Sequence, residues 1–342
     1  MTDTVPPDAA PRIVEPITAE VTLDEFSLVQ EALTNPHLSR TFDKRTYAEG
    51  NVREGIVSTS HGRMHRNRRR LENAQFRPAA LELYERELFP PIMDRFIDEA
   101  VGAGQVDLFW LGEMLSIVLA AKRAGFDFNV DDREAHNEIV GYVDEFSQAS
   151  AIVDAKDPTV IRENVKRALA RFAERFGMPS IARREEALAA FERGEVGQDD
   201  LPHDILTALV QHRDDPELEL TDDFLIIREA ATYLQGGTHT SSQTLINALD
   251  LLLGVRPTHP EFWDRVKTDV GFAQRCVHET LRLRPTTPKA KRRAEAETTV
   301  GDVEIPAGAL VVLDLHTANR DRGLFGADAE EFNPDPVSYT HL

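Results

Sequence analysis

Apolar side chains between Leu225 and Leu252 are spaced so that they cover much of the surface of one long helix. Thr221 can cap its beginning, and the two aspartates that follow place carboxylates at the positive end of the helix dipole. Gly254, just past the last apolar run, is typical of a helix C-terminus. The pattern predicts a helix over residues 221–254, whose length at about 1.5 Å per residue would cross a domain.

The middle of this stretch, GGTHTSS at residues 236–242, contains no good helix former. Its two glycines alone cost about 2 kcal/mol relative to alanine in a helix interior. One interpretation is two shorter helices joined by a loop. The other is a single central helix that is locally opened, with its backbone exposed so that a flat molecule can lie against it.

The rest of the chain is helical in pattern until a change near Pro288. Residues 24–34 are amphipathic, residues 77–207 have helical spacing broken by Gly, Asp and Pro, and a further helix within 261–284 stops at Pro285. After Pro288 apolar and polar residues alternate, with turn signals at 301–302 and 306–308. The pattern predicts a mainly α fold with a minor β region.

Composition narrows the class of protein. The chain has 342 residues, of which 41% are hydrophobic, and its 39 basic and 59 acidic residues give a net charge of −20. This charge argues against nucleic acid as the main partner. No apolar run reaches the length of about 18 residues that a membrane span needs, and no signal peptide pattern is present. The single cysteine excludes an internal disulfide and favours a cytoplasmic location. We expect residues 1–20 to be disordered and 21–335 to form one domain.

An arginine-rich segment at residues 60–78 stands out in this acidic protein. It is either a solvated basic face or a cation cluster that binds cofactor carboxylates on one side and attracts an acidic partner on the other. His61 and His65 are four residues apart, as two metal ligands on one helix face would be. No third ligand accompanies them, so a metal site is disfavoured.

Glu279 and Arg282 lie three residues apart on the helix that ends before Pro285, so they share one face. An exposed pair of this kind contributes well under about 1 kcal/mol, whereas a buried pair needs further partners to offset desolvation. Cys276 lies one turn earlier, and a buried structural cysteine is its default interpretation.

Five motifs occur in an order that resembles the cytochrome P-450 family of haem-thiolate monooxygenases, of the soluble bacterial type. They are Gly236-Gly237-Thr238-His239-Thr240-Ser241, Glu279-Thr280-Leu281-Arg282, the stretch Ala318–Asp321 with Phe325 and Phe332–Asp335, His65-x-x-x-Arg69, and Arg292-Arg293-Ala294 with Glu297. The likeness covers about residues 24–335 and implies the fold of that family, with haem b as cofactor.

The resemblance also implies roles for individual residues. Gly236 and Gly237 would let the porphyrin and dioxygen approach the backbone, and Thr240 would hold dioxygen and pass protons to it. His65, Arg69 and Arg292 would bind the haem propionates, and Glu279 with Arg282 would be structural. The outward arginines 63, 66, 68 and 70 would attract a ferredoxin that carries electrons from NAD(P)H. Residues 285–288 and the helices around 140–180 would shape the pocket for a small apolar or amphipathic substrate.

Departures from the family pattern are also expected to matter. His239 stands where the family has an acid, so we expect proton delivery to be altered or atypical. Cys276 precedes Glu279 and is not the axial ligand, which the resemblance places beyond the end of the printed chain. Pro336 replaces an arginine and begins an anomalous tail, 336–342, and the N-terminal side is short. We therefore expect a truncated chain that binds haem weakly and catalyses little.

Two alternatives from other classes remain at this point. One is a helical small-ligand binding protein without a cofactor, in which Thr240→Ala behaves like the parent. The other is a non-catalytic interaction protein that uses the cluster Arg63–Arg70, whose partner binding vanishes at high salt.

Overall fold

The computed structural model describes residues 17–39, 53–60, 62–149 and 157–335. The described residues divide into two compact units, a first unit within 43–239 and a second unit within 12–42 and 240–342. The single domain predicted for 21–335 stays a prediction. His61, the tail 336–342 and most of the predicted disordered segment lie outside the described residues.

The elements of the fold confirm a mainly α protein with a small β region. In chain order they are β1 (Glu20–Leu23), α1 (Phe26–Thr34), β2 (Leu38–Ser39), α2 (Gly62–Glu72), α3 (Pro78–Leu83), α4 (Pro90–Ala103), α5 (Leu108–Ala124), α6 (Arg133–Gln148), α7 (Pro158–Phe172), α8 (Met178–Glu192), α9 (Ile205–Gln211), α10 (Asp223–Val255), α11 (Pro260–Thr268), α12 (Val270–Leu283), β3 (Lys289–Ala294), β4 (Thr298–Val300), β5 (Val303–Ile305), β6 (Leu310–Asp314), α13 (Leu315–Ala318) and α14 (Arg322–Phe325). Among the described residues, none of these helices has both the length and the apolar character to cross a membrane.

Aspartates fix where several helices of the first unit begin. The carboxylates of Asp107, Asp132, Asp157 and Asp204 accept backbone N–H bonds from the first turns of α5, α6, α7 and α9. Each satisfies donors that have no partner within the helix. Gly125 ends α5 with a φ of 98°, and a Cβ there would overlap the side chains of Asp204 and Leu206.

The core of the first unit is formed by helices that pack their apolar faces together. Ile117 of α5, Ile139 and Phe146 of α6, Phe172 of α7 and Ile227 of α10 are all fully buried in it. Burial of each such side chain contributes about 1.5–3 kcal/mol. This core positions the first half of α10, as far as Leu234, just before the glycine-rich motif in the middle of the helix.

One continuous helix carries that motif. α10 spans 33 residues, Asp223–Val255, and is α-helical without interruption, so the interpretation as two helices is wrong. The predicted local opening is also not seen. Threonine hydroxyls donate to carbonyls one turn earlier, from Thr238 to Leu234 at 2.8 Å and from Thr244 to Thr240 at 2.7 Å. These hydroxyls bond to carbonyls of their own helix, and the backbone remains α-helical around them.

The β region predicted after Pro288 is present in the second unit. Its larger sheet has the strand order β1-β6-β3-β2, with β6 parallel to β1 and antiparallel to β3. A separate hairpin joins β4 to β5 across the turn at Gly301. Apolar residues of these strands pack with α1, so that Val29 and Val311 are fully buried.

Candidate functional site

The arginine-rich segment forms helix α2, and its arginines do not share one environment. Arg63, Arg66 and Arg70 are exposed, whereas Arg68 is only 1% exposed. The prediction that Arg68 faces outward is therefore wrong. Its guanidinium donates to the carbonyls of Leu218, Gly55 and Glu219 at 2.5, 2.6 and 2.6 Å. The segments around residues 55 and 218–219 lie over this side of α2. Their carbonyls accept the hydrogen bonds that an exposed arginine would make with water.

Arg68 also pairs with a buried acid on α10. Its Nη1 lies 3.2 Å from Oε2 of Glu229, and both carboxylate oxygens accept from the N–H of Val57, at 3.0 and 2.9 Å. Burial raises the pKa of Glu229, and Val57 and Arg68 oppose that shift. Glu229 was not identified from the sequence. Its position inside the apolar run of α10 was the signal that could have indicated a buried acid.

A second link joins α2 to α10 one turn further along. The hydroxyl of Tyr233 donates to Oε2 of Glu72, which is 1% exposed, while Oε1 of Glu72 has no hydrogen-bond partner among the described residues. Burial, and then the nearby Glu229, raise the pKa of Glu72 to about 8. Neither Glu72 nor Tyr233 was singled out from the sequence, because a polar residue at the end of a charged helix gives no sign of burial.

This raised pKa predicts a pH-dependent stability. Between the ordinary carboxyl value of 4.5 and about 8, the folded state binds more protons at Glu72 than the unfolded state does. The free energy of unfolding therefore falls as pH rises through this window. We expect Glu72→Gln, measured by urea unfolding at pH 5 and pH 8.5, to remove about 1–3 kcal/mol of that fall. Equal slopes in parent and variant would contradict a titrating Glu72.

His65 and Arg69 are brought together on α2. They are four residues apart, so they share one face of the helix, and both are half-buried. Nδ1 of His65 lies 2.8 Å from the carbonyl of Val57, which can only accept, so Nδ1 carries the proton. His65 can then donate to a carboxylate only when its ring is protonated on both nitrogens.

The two glycines of α10 have different surroundings. Gly236 is exposed, and a Cβ at this position would meet no atom within 4 Å. A Cβ on Gly237 would lie 3.0 Å from Cβ of Ala120 on α5. Gly237 therefore permits close packing of two helices, whereas only Gly236 offers its bare backbone to another molecule.

Single alanine substitutions at these neighbours make a matched pair. We expect Gly236→Ala to raise the free energy of unfolding by about 0.5–1 kcal/mol, because alanine favours the helix and has room. For Gly237→Ala the same gain is offset by the tight approach to Ala120. Urea unfolding of both variants checks this difference. An equal gain at the two positions would show that α5 moves away from the added methyl group at no measurable cost in stability.

His239 has an acidic partner that sequence reasoning did not identify. Its Nε2 lies 3.2 Å from Oδ1 of Asp144 on α6, and both side chains are partly exposed. Asp144 resembles any surface acid of an amphipathic helix, so its sequence context held no signal. Thr240, the next residue, is exposed and belongs to the second unit. The roles of His239 and Thr240 in proton delivery stay predictions.

Glu279 and Arg282 form a buried pair in the second unit, 2% and 6% exposed. The guanidinium donates to both carboxylate oxygens at 2.7 Å, and Oε1 of Glu279 also accepts from the N–H of Asn333 at 3.0 Å. Of the two alternatives from the sequence, the structure therefore shows the buried one. These bonds tie α12 to the segment after α14.

Arg292 lies on β3 of the second unit, where its register partner is Val311 of β6. It is 7% exposed, and its Nη1 donates to the carbonyl of Lys291 at 2.9 Å. His65 and Arg69 belong to the first unit. The shared role of these three residues in binding propionates therefore stays a prediction.

The chain's one cysteine does not fit as an axial haem ligand. Cys276 is 4% exposed and packs with Phe262, Phe272 and Phe332. Burial raises the pKa of its thiol to about 11, so the thiolate that iron needs is disfavoured. Across 17–39, 53–60, 62–149 and 157–335, no cluster of three His, Cys, Asp or Glu side chains could hold a metal ion.

Comparison with known proteins gives one consistent family. The family model described as cytochrome P450 matches residues 17–336. The C-19 steroid 1alpha-hydroxylase of Sorangium cellulosum is 25% identical over 303 residues, which are 87% of this chain and 67% of that protein. Methyltetrahydroprotoberberine 14-monooxygenase of Papaver somniferum is 27% identical over 163 residues, 42% of this chain but only 30% of the relative's length. The crystal structure of CalO2 superposes with a TM-score of 0.72 at 19% identity, covering 93% of this chain and 75% of CalO2, which shows the fold alone.

Proposed function

Because the chain belongs to the cytochrome P450 family, we propose that the protein containing it is a haem-dependent monooxygenase. It would insert one atom of O₂ into a small apolar or amphipathic molecule and reduce the other atom to water, using two electrons from NAD(P)H and two protons. The match of the family model to residues 17–336 carries this proposal. Neither the cofactor-free binding protein nor the interaction protein is favoured by the comparisons.

The family uses haem, whose thiolate-ligated iron supplies O–O bond cleavage. Three side chains, His65, Arg69 and Arg292, are proposed to hold its propionates through hydrogen bonds, and a charge-assisted bond of this kind contributes about 1.5–3 kcal/mol. The common face of His65 and Arg69 and the bare backbone at Gly236 support this arrangement. The axial position is different. Cys276 does not fit there, and none of the described residues is proposed as the axial ligand.

Proton delivery is assigned to the middle of α10. The hydroxyl of Thr240 can accept a proton and donate one to dioxygen as it is reduced. His239 replaces the family's acid with an imidazole, a group that can relay protons. Its Nε2 lies 3.2 Å from Oδ1 of Asp144. Gly236, one turn earlier on the same helix, adds no side chain that would cover the backbone.

Electrons are proposed to arrive from a ferredoxin on the exposed face of α2. Arg63, Arg66 and Arg70 are exposed, and Arg63 lies 3.7 Å from Glu217 in an exposed contact. A basic patch on a protein of net charge −20 attracts an acidic partner locally, with an association rate that falls as salt rises. A cytoplasmic location, where NAD(P)H and ferredoxin are available, belongs to the same proposal.

Thr240→Ala tests the function in the protein as it turns over with its electron donor. We expect NAD(P)H and O₂ consumption to continue while product formed per NAD(P)H falls by about tenfold or more, with hydrogen peroxide released instead. Thr232→Ala is the matched control, because Thr232 lies two turns before Thr240 on the same helix and its hydroxyl donates to the carbonyl of Arg228 at 3.0 Å. An unchanged ratio in Thr240→Ala contradicts its role, and the absence of a thiolate-haem spectrum in the protein that contains this chain contradicts the function.

A further inference from the structure

The hydrogen bond between Tyr233 and Glu72 has no part in the function proposed above. Tyr233 is half-buried on α10, and its hydroxyl donates to Oε2 of Glu72 on α2. Both residues belong to the first unit. A phenol that is bonded directly to a carboxylate can pass its proton across that one bond, with no water molecule between the two groups. The pair therefore has the geometry that a proton transfer needs.

The carboxylate of Glu72 lacks the partners that a buried anion needs. Glu72 is 1% exposed, and its Oε1 makes no hydrogen bond within the part of the chain that the structure describes. Burial, and then Glu229, raise its pKa to about 8, while Tyr233, Arg69 and Arg68 oppose that shift. Above this value Glu72 is ionised and short of hydrogen bonds. It is then a ready acceptor for a proton from Tyr233.

The other tyrosines that the structure describes have different acceptors. Tyr84 donates to a backbone carbonyl, which does not take up protons. Tyr142 donates to Glu138 at 3.1 Å, but that carboxylate is 33% exposed and also pairs with Arg175 at 3.3 Å. Among these three side chains, Tyr233 is the one bonded to a buried carboxylate that still has an oxygen without a partner.

The ring of Tyr233 lies close to solvent through a neighbouring ring. The centroids of Tyr233 and Phe76 are 5.9 Å apart, and Phe76 is 41% exposed. The guanidinium of Arg123 lies 3.9 Å from the centroid of Phe76 on the same side of the unit. Electrons cross a separation of one aromatic ring without contact between donor and acceptor. An oxidant in solution can therefore take an electron from Tyr233 without entering the protein.

We propose that Tyr233 is a redox-active tyrosine, which loses one electron to an outer-sphere one-electron oxidant while its hydroxyl proton passes to Glu72. The O–H bond of Tyr233 breaks and an O–H bond forms on the carboxylate. The products are a neutral tyrosyl radical, a neutral carboxyl group and an oxidant reduced by one electron. Neither haem nor the proposed monooxygenase activity is needed for this step, so the two proposals fail separately.

Flash photolysis tests the proposal on the printed chain, with tris(bipyridine)ruthenium(III) generated by light as the oxidant. The measured quantity is the initial rate at which the tyrosyl radical absorbance appears. Because the other tyrosines also contribute, the rate due to Tyr233 is the difference between each protein and the same protein carrying Tyr233→Phe. We expect this difference to rise about tenfold between about pH 7 and pH 9, as Glu72 becomes ionised. Burial, and then Glu72, raise the pKa of Tyr233, so its own ionisation does not cause the rise.

Glu72→Gln separates proton transfer from a structural role. In this variant we expect the Tyr233 rate at pH 9 to fall by about tenfold or more and its rise with pH to disappear. Glu138→Gln is the matched control at the Tyr142 pair and should leave both unchanged. Thermal unfolding shows whether each variant keeps its fold.

Two results would overturn the proposal. One is a parent whose radical signal is the same with and without Tyr233→Phe, or whose Tyr233 rate stays flat between pH 7 and pH 9. This result needs no change at Glu72. The other is a folded Glu72→Gln variant with the rate and pH dependence of the parent, which would mean that the proton goes elsewhere.

Discussion

Replacement of Arg282 by methionine is expected to lower the free energy of unfolding by about 3–5 kcal/mol, the cost of breaking a buried ion pair by removing one partner. Its guanidinium donates hydrogen bonds to several buried backbone carbonyls as well as to Glu279. Beyond Glu279, it donates to the carbonyls of Asn319 and Ala329 at 2.9 and 2.6 Å, and to that of Glu331 at 3.2 Å. Methionine fills much of the volume but leaves these oxygens buried without a donor.

Urea unfolding measures this loss, and Arg284→Met provides the control. Arg284 lies two residues further along and pairs with Asp250 at 2.6 Å, but both side chains are exposed, so we expect a loss below about 1 kcal/mol. Adding Glu279→Gln to Arg282→Met should restore little stability, because the three carbonyls still lack the hydrogen-bond donor that Arg282 provided. Full restoration by the double variant would show that the pair acts alone.

Arg68→Met is expected to have a loss of similar size in the first unit, about 3–5 kcal/mol. Arg68 compensates the buried carboxylate of Glu229 at 3.2 Å and is the donor to carbonyls at residues 55, 218 and 219. Without it, the pKa of Glu229 rises further, and the loss should be greater at pH 8 than at pH 5, where protonation removes the unpaired charge.

The control for this prediction lies on the same helix. Arg63 is 76% exposed and lies 3.7 Å from Glu217, so Arg63→Met should change the free energy of unfolding by less than about 0.5 kcal/mol. The two variants also separate stability from electron transfer, because Arg63→Met alters the exposed face proposed for the ferredoxin. A loss for Arg68→Met no greater than that for Arg63→Met would contradict the buried position of Arg68.

Much of the fold followed from local pattern. The helical spacing around the glycine-rich motif predicted α10 close to its observed bounds, because apolar period and capping residues act within one segment. The change to alternation after Pro288 predicted a small β region for the same reason, and strands β3 to β6 lie there. The motifs at Glu279 and Thr240 indicated the family that the comparisons show.

The partners of individual side chains were not predictable in this way. Arg68 and Arg66 are alike in sequence, yet one is buried and the other exposed. The difference comes from residues 217–219, about 150 positions further along the chain, which cover one side of α2. Asp144 and Glu72 were missed for a similar reason, since each acquires its partner from α10.

Residue spacing and motifs were enough to predict the kind of elements, their order and the family, because these depend on the pattern within a segment and on a few motif residues. Packing between distant segments places Gly237 against Ala120, leaves room for a Cβ at Gly236, and surrounds Cys276 with aromatic rings. Helical period tells which residues share a face. What covers that face is decided by segments far away in sequence, and with it the solvation and charge of every group beneath.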